Sequence, residues 1–550
     1  NADYLLPSKI INDLSNEIDG AIRSELNASY KKLLKSLKPG PQVFSIINRL
    51  AGRKKSSLNV NYYSIKIGNL QCHSPKEKMS ACVDYFSHLF SAKSPADPIW
   101  NSVVANNVND KRLSLEGSYL CPFSPRCSAD IVRTGPFAPF FTSLEEVELA
   151  ISRCNNKKSS GPDGIPNFIL RKCAPTISER LAILFNNCLN NGHFPVSWKS
   201  ALLIPIPKKG CSGDLKDMRP ISLLSNIGKI FKRILLSHLN RHYSAIIPLN
   251  QFGFENLRST EQAIMYLQDH ILNQLENRHC TVACALDLEK AFDSVWKEGL
   301  LYKLIQSNCP LPLFRILADF IFNRTCHVHF DGLRSIDFPV NSGVPQGSIL
   351  GPKLFNIFLH DIPLPPVNLS PTTTATQAAL LPPSSPNDNG PPASGGILFA
   401  DDTILYASGL RPSLASLSLN ILTNRVIAYF NRWALTVNSL KSEVICFRNP
   451  SGKCHWRTVP ESKNLHLRIA NHTLKPKSNI KYLGISLNNK LKSNPHVRSA
   501  IANASKASAA LKTSSHPGPC SLPPKPFYTE LLFVQSSPTV SQHGLPCHRT

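Results

Sequence analysis

The sequence contains no run of eighteen or more apolar residues, which argues against a helical membrane span, and its start lacks the basic-then-apolar pattern of a secretory signal. No repeat of fixed period occurs. Cys454, His455, His466 and His472 lack zinc-ligand spacing, and so do Cys520, His543, Cys547 and His548. Sixteen cysteines are scattered singly and are read as reduced thiols, so a soluble, intracellular chain is expected. Methionine is scarce, with only Met79, Met218 and Met265, and position 1 is Asn; a fragment with a missing upstream domain is the expectation. Acidic side chains are also few. Asp and Glu number 36 against 61 Lys and Arg, and the resulting charge of +25 suits a polyanion through phosphate neutralisation better than it suits an acidic protein.

What is present is enough for a large folded core. Hydrophobic residues are 42% of 550 and charged residues 18%, while 44 prolines and 26 glycines imply long or irregular connections. Residues 10–50 carry apolar positions at helical spacing among basic ones, as an amphipathic helix or an ordinary solvated helix face would. Residues 59–91 read as short strands followed by a helix, and 94–140 as a linker rich in Pro, Ser and Asn. From 142 to 198, helical patterns flank a turn at Gly161-Pro162-Asp163-Gly164. A strand-like run from Leu202 to Pro207 then leads through Lys208 and Lys209 to Arg219, and a basic amphipathic helix covers 227–239. The stretch 363–396 is too poor in apolar residues to pack and reads as a surface loop, and the tail beyond Lys512 shows no period.

Three segments carry chemistry. The β-prone run Thr281 to Leu286 ends at Asp287, where a carboxylate at a strand end is open to a metal or ligand, although Asp is equally a common helix N-cap. Gly396 to Ala407 reads as a hairpin folded at Asp401-Asp402. Adjacent acids there repel unless a cation neutralises them, and hard carboxylate oxygens suit Mg²⁺. Two such ions about 3.5–4 Å apart clamp the attacking and leaving oxygens of an in-line displacement. Asp287 and Asp401 are far apart in sequence, so a tertiary fold must bring the strand end beside the hairpin, as a mixed αβ sheet does. In the third segment, Gly343 to Pro352, glycines on both sides of Gln346 let a backbone or planar group approach closely before a helix begins.

Together these segments resemble the reverse transcriptases of LINE-type non-LTR retrotransposons, most closely the Jockey-like group. The resemblance covers about 141–491, with the motifs in family order: Gly161 to Gly164, Arg219 to Leu223, Gln251-Phe252-Gly253-Phe254, the Asp287 segment, Gly343 to Pro352, Phe399 to Asp402, Asn438 to Phe447, and Tyr482 to Ile485. It implies an α/β (α+β) right-hand polymerase with fingers, palm and thumb, preceded by a helical connector. By that reading 1–140 is connector and N-terminal extension, 141–187 the first part of the fingers, and 188–487 the reverse transcriptase domain with a Pro-rich insertion at 363–396. The thumb starts in 488–512, and 513–550 is an irregular tail.

The resemblance also implies roles. Asp287 and Asp401 hold two Mg²⁺ ions, for which Mn²⁺ can substitute, with Asp402 less directly engaged. Lys441 serves as cation or proton donor near the leaving pyrophosphate. Lys208, Lys209 and Arg219 hold the triphosphate, Gln346 and Gly347 line the nucleotide pocket, and Phe292 is the aromatic gate that disfavours a 2′-hydroxyl, so dNTPs are expected. Template RNA, the element's own, and a primer DNA 3′ end are the implied partners, in nucleus and cytoplasm. Departures from the family pattern are Glu255 in place of Arg, His360 in place of Asn, the long 363–396 stretch, and the lack of an endonuclease before 141. They keep open an inactive remnant that only binds RNA. An RNA-dependent RNA polymerase sharing the palm conflicts with Phe292.

Overall fold

A computed structural model describes residues 65–67, 70–115, 141–155, 160–208, 213–330, 333–365, 394–448, 467–469 and 472–491. Contacts divide the chain into Asn1–Lys492 and Ser493–Thr550, and every described residue belongs to the first unit. The elements run β1 (Ile65–Ile67), β2 (Leu70–Cys72), α1 (Pro75–Leu89), α2 (Pro98–Leu115), α3 (Leu144–Ser152), α4 (Asn167–Lys172), α5 (Ala174–Asn191) and α6 (Val196–Lys199). Next come β3 (Ala201–Pro207), β4 (Met218–Leu223), α7 (Asn226–Tyr243), α8 (Thr260–Glu276), β5 (Cys280–Leu286), α9 (Lys297–Gln306), α10 (Leu311–Ile321), β6 (Arg324–Phe330), β7 (Leu333–Arg334) and β8 (Phe338–Val340). The order ends with α11 (Gly351–Phe358), β9 (Ser394–Phe399), β10 (Asp402–Gly409), α12 (Pro412–Arg432), β11 (Glu443–Phe447), β12 (Leu467–Ile469), β13 (His472–Leu474), β14 (Pro476–Lys477), β15 (Asn479–Tyr482) and β16 (Ile485–Asn488).

Two larger sheets organise these elements. In the first the order is β14-β11-β5-β10-β9, antiparallel except for the β11–β14 pair. Its centre, β5, is an unbroken apolar run because both faces are covered. Val282, Cys284 and Leu286 join the cluster that includes Leu419, Val426 and Phe430 of α12. Ala283 packs instead with Ala263, Ile264, Leu267 and Ile271 of α8. A capping box fixes the start of α8, with Ser259 accepting from the Gln262 amide and Gln262 accepting from the Ser259 amide. This sheet is the palm.

The second sheet runs β4-β3-β6-β7, with β8 also on β6 and the β3–β6 pair parallel. Phe86 and Leu89 of α1 join its buried cluster with Leu203, Val328 and Phe338. The turn at 161–164 is tied to the start of α7: the Asn226 amide donates to Asp163 Oδ2 at 3.0 Å, and Asn226 Nδ2 to the Ile165 carbonyl at 2.7 Å.

Several expectations change. Residues 94–140 were expected as linker, yet Pro98–Leu115 is helical. Val104 and Val108 are buried on one face, and Trp100 meets Trp433 and Tyr302 edge-on at 5.5 and 5.6 Å. The i, i+4, i+8 anchors suffice although the remaining surface is polar. The helical pattern expected directly after Asp287 begins only at Lys297, behind a short 3₁₀ turn at Ala291–Ser294, so Asp287 is no helix N-cap. Ser394 and Gly395, expected in the 363–396 loop, lie inside β9, which starts ahead of the expected hairpin. The expected helix at 10–50, most of the 363–396 stretch, most of the thumb and the tail lie outside the described residues. The described cysteines are free thiols, and no described helix is long and apolar enough to cross a membrane.

Candidate active site

Strand β5 delivers Asp287 to the end of the palm sheet, and both of its neighbours bring polar side chains to that end. On one side the β5–β10 register pairs Leu286 with Thr403, so the ladder continued by one residue sets Asp402 opposite Asp287. The β9–β10 turn consists of Ala400 and Asp401, since Phe399 pairs with Asp402. Such a turn needs positive φ, and with no Gly available Ala400 adopts φ 58°.

A segment outside the sheet holds this turn. Gln251 Oε1 accepts from the Ala400 amide at 3.0 Å and from the Gly253 amide at 2.8 Å. The Phe252 amide donates to the Leu398 carbonyl at 2.7 Å, and the Leu398 amide to the Asn250 carbonyl at 2.8 Å. A Cβ on Gly253 would lie 2.4 Å from the Ala400 nitrogen, so this backbone approach requires glycine. The Gln251-Phe252-Gly253 motif, legible in sequence only as one member of a series, is the mould for the aspartate hairpin.

On the other side of β5, the Asn438 amide donates to the Asp287 carbonyl at 2.7 Å, the Asp287 amide to Ser442 Oγ at 3.3 Å, and Ser442 Oγ to the Asn438 carbonyl at 2.8 Å. This lacing places exposed Lys441 beside Asp287. Burial raises the Asp287 carboxyl above its usual range, opposed by the charges of Lys441 and Lys208. Burial also raises Asp401, with Asp287 adding to the effect and Arg219 opposing it. Asp402 is pushed up to about 6 by burial, then by Asp401 and Asp287. Three carboxylates raised first by burial, with Asp287 adding to the shift of Asp401 and both adding to that of Asp402, thus sit within reach of three cations from the end of β3, from β4 and from the 438–442 turn. Lys208 is anchored where its amide donates to the Asp217 carbonyl at 3.0 Å. Arg219 pairs with Ile206 across β3 and β4. Lys209 lies outside the described residues.

Phe292, Gln346 and Gly347 form a second group. The Phe292 ring stacks on Phe355 at 4.7 Å. The Gln346 carbonyl accepts from the Ser222 amide at 2.9 Å, three residues along β4 from Arg219. Gly347 is exposed with φ +100°. Sequence reading missed one member of this region. Asp293, buried, accepts from Gln346 Nε2 at 2.8 Å. Glu255, expected to reverse a charge on the template path, instead turns inward to Lys353 and Asn356. His360 Nδ1 is engaged locally with the Ile357 carbonyl at 2.8 Å.

No group of three His, Cys, Asp or Glu side chains among the described residues closes into a finished metal cage. The donor chemistry nevertheless fits a hard dication: oxygen ligands only, carboxylates raised by burial and by neighbouring carboxylates, and nearby cations that suit phosphate.

A central antiparallel palm with aspartates at a strand end and on the adjoining hairpin defines a right-hand nucleic-acid polymerase. Residues 206–487 match the family model described as reverse transcriptase (RNA-dependent DNA polymerase), and the chain belongs to that family. It is 32% identical over 358 residues to the RNA-directed DNA polymerase from mobile element jockey of Drosophila melanogaster, covering 64% of this chain and 36% of that one. The corresponding jockey protein of Drosophila funebris is 26% identical over 489 residues, 88% of this chain and 48% of that one. The probable RNA-directed DNA polymerase from transposon X-element of Drosophila melanogaster is 30% identical over 367 residues, 66% and 36% of the two chains. The chain therefore spans less than half the length of these curated relatives.

Proposed function

We propose that this chain is an RNA-directed DNA polymerase that adds dNTPs to a DNA 3′-hydroxyl on an RNA template, the synthesis step of target-primed retrotransposition. The observation that carries the reading is the meeting of Asp287 with the Asp401–Asp402 hairpin at one sheet end ringed by Lys208, Arg219 and Lys441. Asp287 and Asp401 would hold two Mg²⁺ ions, or Mn²⁺ in their place, with Asp402 in support. Bound there, such ions supply Lewis-acid stabilisation and lower the pKa of the attacking hydroxyl. Arg219 and Lys208 orient the triphosphate by charge-assisted contacts, and Lys441 balances charge that develops on the leaving pyrophosphate. The Phe292 ring, braced by Phe355, would exclude a 2′-hydroxyl, and Gln346 with Gly347 would border the incoming nucleotide. The template would be the element's own RNA, met in the nucleus after passage through the cytoplasm.

The test is Mg²⁺-dependent incorporation of labelled dNTPs on a primed RNA template, with Asp401→Ala and an NTP mixture as controls. Incorporation that needs dNTPs, Mg²⁺ and Asp401 is the expected result. Salt-sensitive RNA binding without incorporation would overturn it in favour of a binding remnant.

A further inference from the structure

Asp293 lies six residues beyond Asp287 in Lys290-Ala291-Phe292-Asp293, and nothing in the proposed chemistry uses it. It is 3% exposed, a cost that a carboxylate bears only with partners. Its one close side-chain partner among the described residues is Gln346, whose Nε2 donates to Asp293 Oδ2 at 2.8 Å. The backbones around the pair are laced as well. Ser342 Oγ donates to the Asp293 carbonyl at 3.0 Å, the Val344 amide to the Phe292 carbonyl at 2.8 Å, and the Gly343 amide to the Val295 carbonyl at 2.8 Å. Gly343 has φ +79°, and a Cβ there would lie 2.7 Å from the Asp293 carbonyl oxygen. The 342–347 loop is thus seated on the turn that carries Phe292, and the far side of Gln346 is held by Ser222 of β4.

We propose that Asp293 is a positioning residue: its carboxylate fixes the Gln346 carboxamide, so that the loop bordering the nucleotide and the aromatic gate at Phe292 move as one unit and set nucleotide selectivity. The inference rests on the polymerase reading. A primary amide is free to rotate about its last torsion, and the Asp293 oxygen that accepts from Gln346 Nε2 selects the orientation with nitrogen toward Asp293 and oxygen away. The outward oxygen is then the group presented to whatever enters beside Phe292. Burial pushes the Asp293 carboxyl up to about 7, opposed by the Gln346 hydrogen bond and by the charges of Lys290 and Lys208, and Arg324 lines the same small cavity.

Steady-state incorporation by Asp293→Leu, Asp293→Asn, Gln346→Leu and the Asp293→Leu/Gln346→Leu double variant tests this, alongside hydrogen exchange of segments 290–295 and 342–347. Loss of the bond should raise KM for dNTPs by about tenfold, with kcat within about threefold, and narrow the preference for dNTPs over NTPs. Asp293→Asn keeps an acceptor oxygen and should remain within about threefold of the parent. The double variant should be no worse than either single one, and Asp293→Leu should speed exchange in 342–347. Additive losses, a fall in kcat at constant KM, or unchanged exchange in 342–347 would overturn the link. Exchange needs no turnover, so an inactive parent protein would count against the polymerase reading while the link is still decided.

Discussion

Glu255 and Lys353 form a buried ion pair, Oε2 to Nζ 2.8 Å, between the loop that moulds the aspartate hairpin and helix α11. Their side chains are 9% and 2% exposed. Asn356 Nδ2 completes the cluster, donating to Glu255 Oε1 at 2.8 Å and to the Gly253 carbonyl at 2.7 Å. From sequence, Glu255 looked like a sign of decay because the resembled family usually has Arg there. In the fold it neutralises a lysine that is otherwise sealed from water. Restoring the family's arginine should therefore harm this chain. Glu255→Arg sets two cations together and is expected to cost on the order of 3–5 kcal/mol, while Glu255→Arg/Lys353→Glu recovers most of it, read by chemical denaturation. Equal stability of Glu255→Arg and the parent would remove the pair's structural role.

The hairpin turn depends on two small features that reach it from outside the sheet. Gly253→Ala forces a Cβ against the Ala400 nitrogen, where only backbone can yield, and Gln251→Leu strips the acceptor from two buried amides. Each should lower dNTP incorporation by about a hundredfold or more through misplacement of Asp401. Ala400→Gly, by contrast, relieves a φ of 58° and should leave stability unchanged or raised by about 1 kcal/mol. Full activity in Gly253→Ala would show that the turn is not moulded by this contact.

The pH response of the apo protein follows from Asp402, raised to about 6 from an ordinary carboxyl value of 3.8. A raised carboxyl means that the folded state binds more protons than the unfolded state between those values, so its contribution makes stability fall as pH rises through that window. Asp402→Asn removes a carboxylate that burial disfavours and that Asp401 and Asp287 repel. Melting in EDTA should show a higher Tm for the variant at pH 7.5 and a gain that shrinks toward pH 4. A gain independent of pH would contradict the raised Asp402 carboxyl.

Away from the site, Lys232 of α7 is fully buried over Phe194 and Phe320, 6.0 and 5.7 Å from the ring centroids, and its Nζ has no hydrogen-bond partner among the described residues. Burial holds its pKa well below the usual lysine range. The group therefore opposes folding at neutral pH, and its penalty fades as pH rises toward the unfolded value. Lys232→Met should raise stability by about 1 kcal/mol or more near pH 7, with a smaller gain near pH 10. Destabilisation near pH 7 would mean that the ammonium contributes through the two rings.

The sequence by itself determined the elements that carry the chemistry. The apolar run ending at Asp287 reads as a buried strand, and the two apolar runs joined at Asp401-Asp402 read as a hairpin, because apolar runs and the turns between them are local patterns. The helix at Pro98–Leu115 was harder to read, since three anchoring positions in a polar stretch acquire meaning only once Trp433 and Tyr302 lie beneath them. The tertiary structure alone decided which distant groups meet. Asp402 faces Asp287 through sheet register, Gln251 caps the Ala400 turn from another segment, Asp293 holds Gln346, and Glu255 finds Lys353. A buried polar side chain needs a partner of matching charge or hydrogen-bonding type, and that partner is chosen by packing in space, which spacing along a chain does not encode.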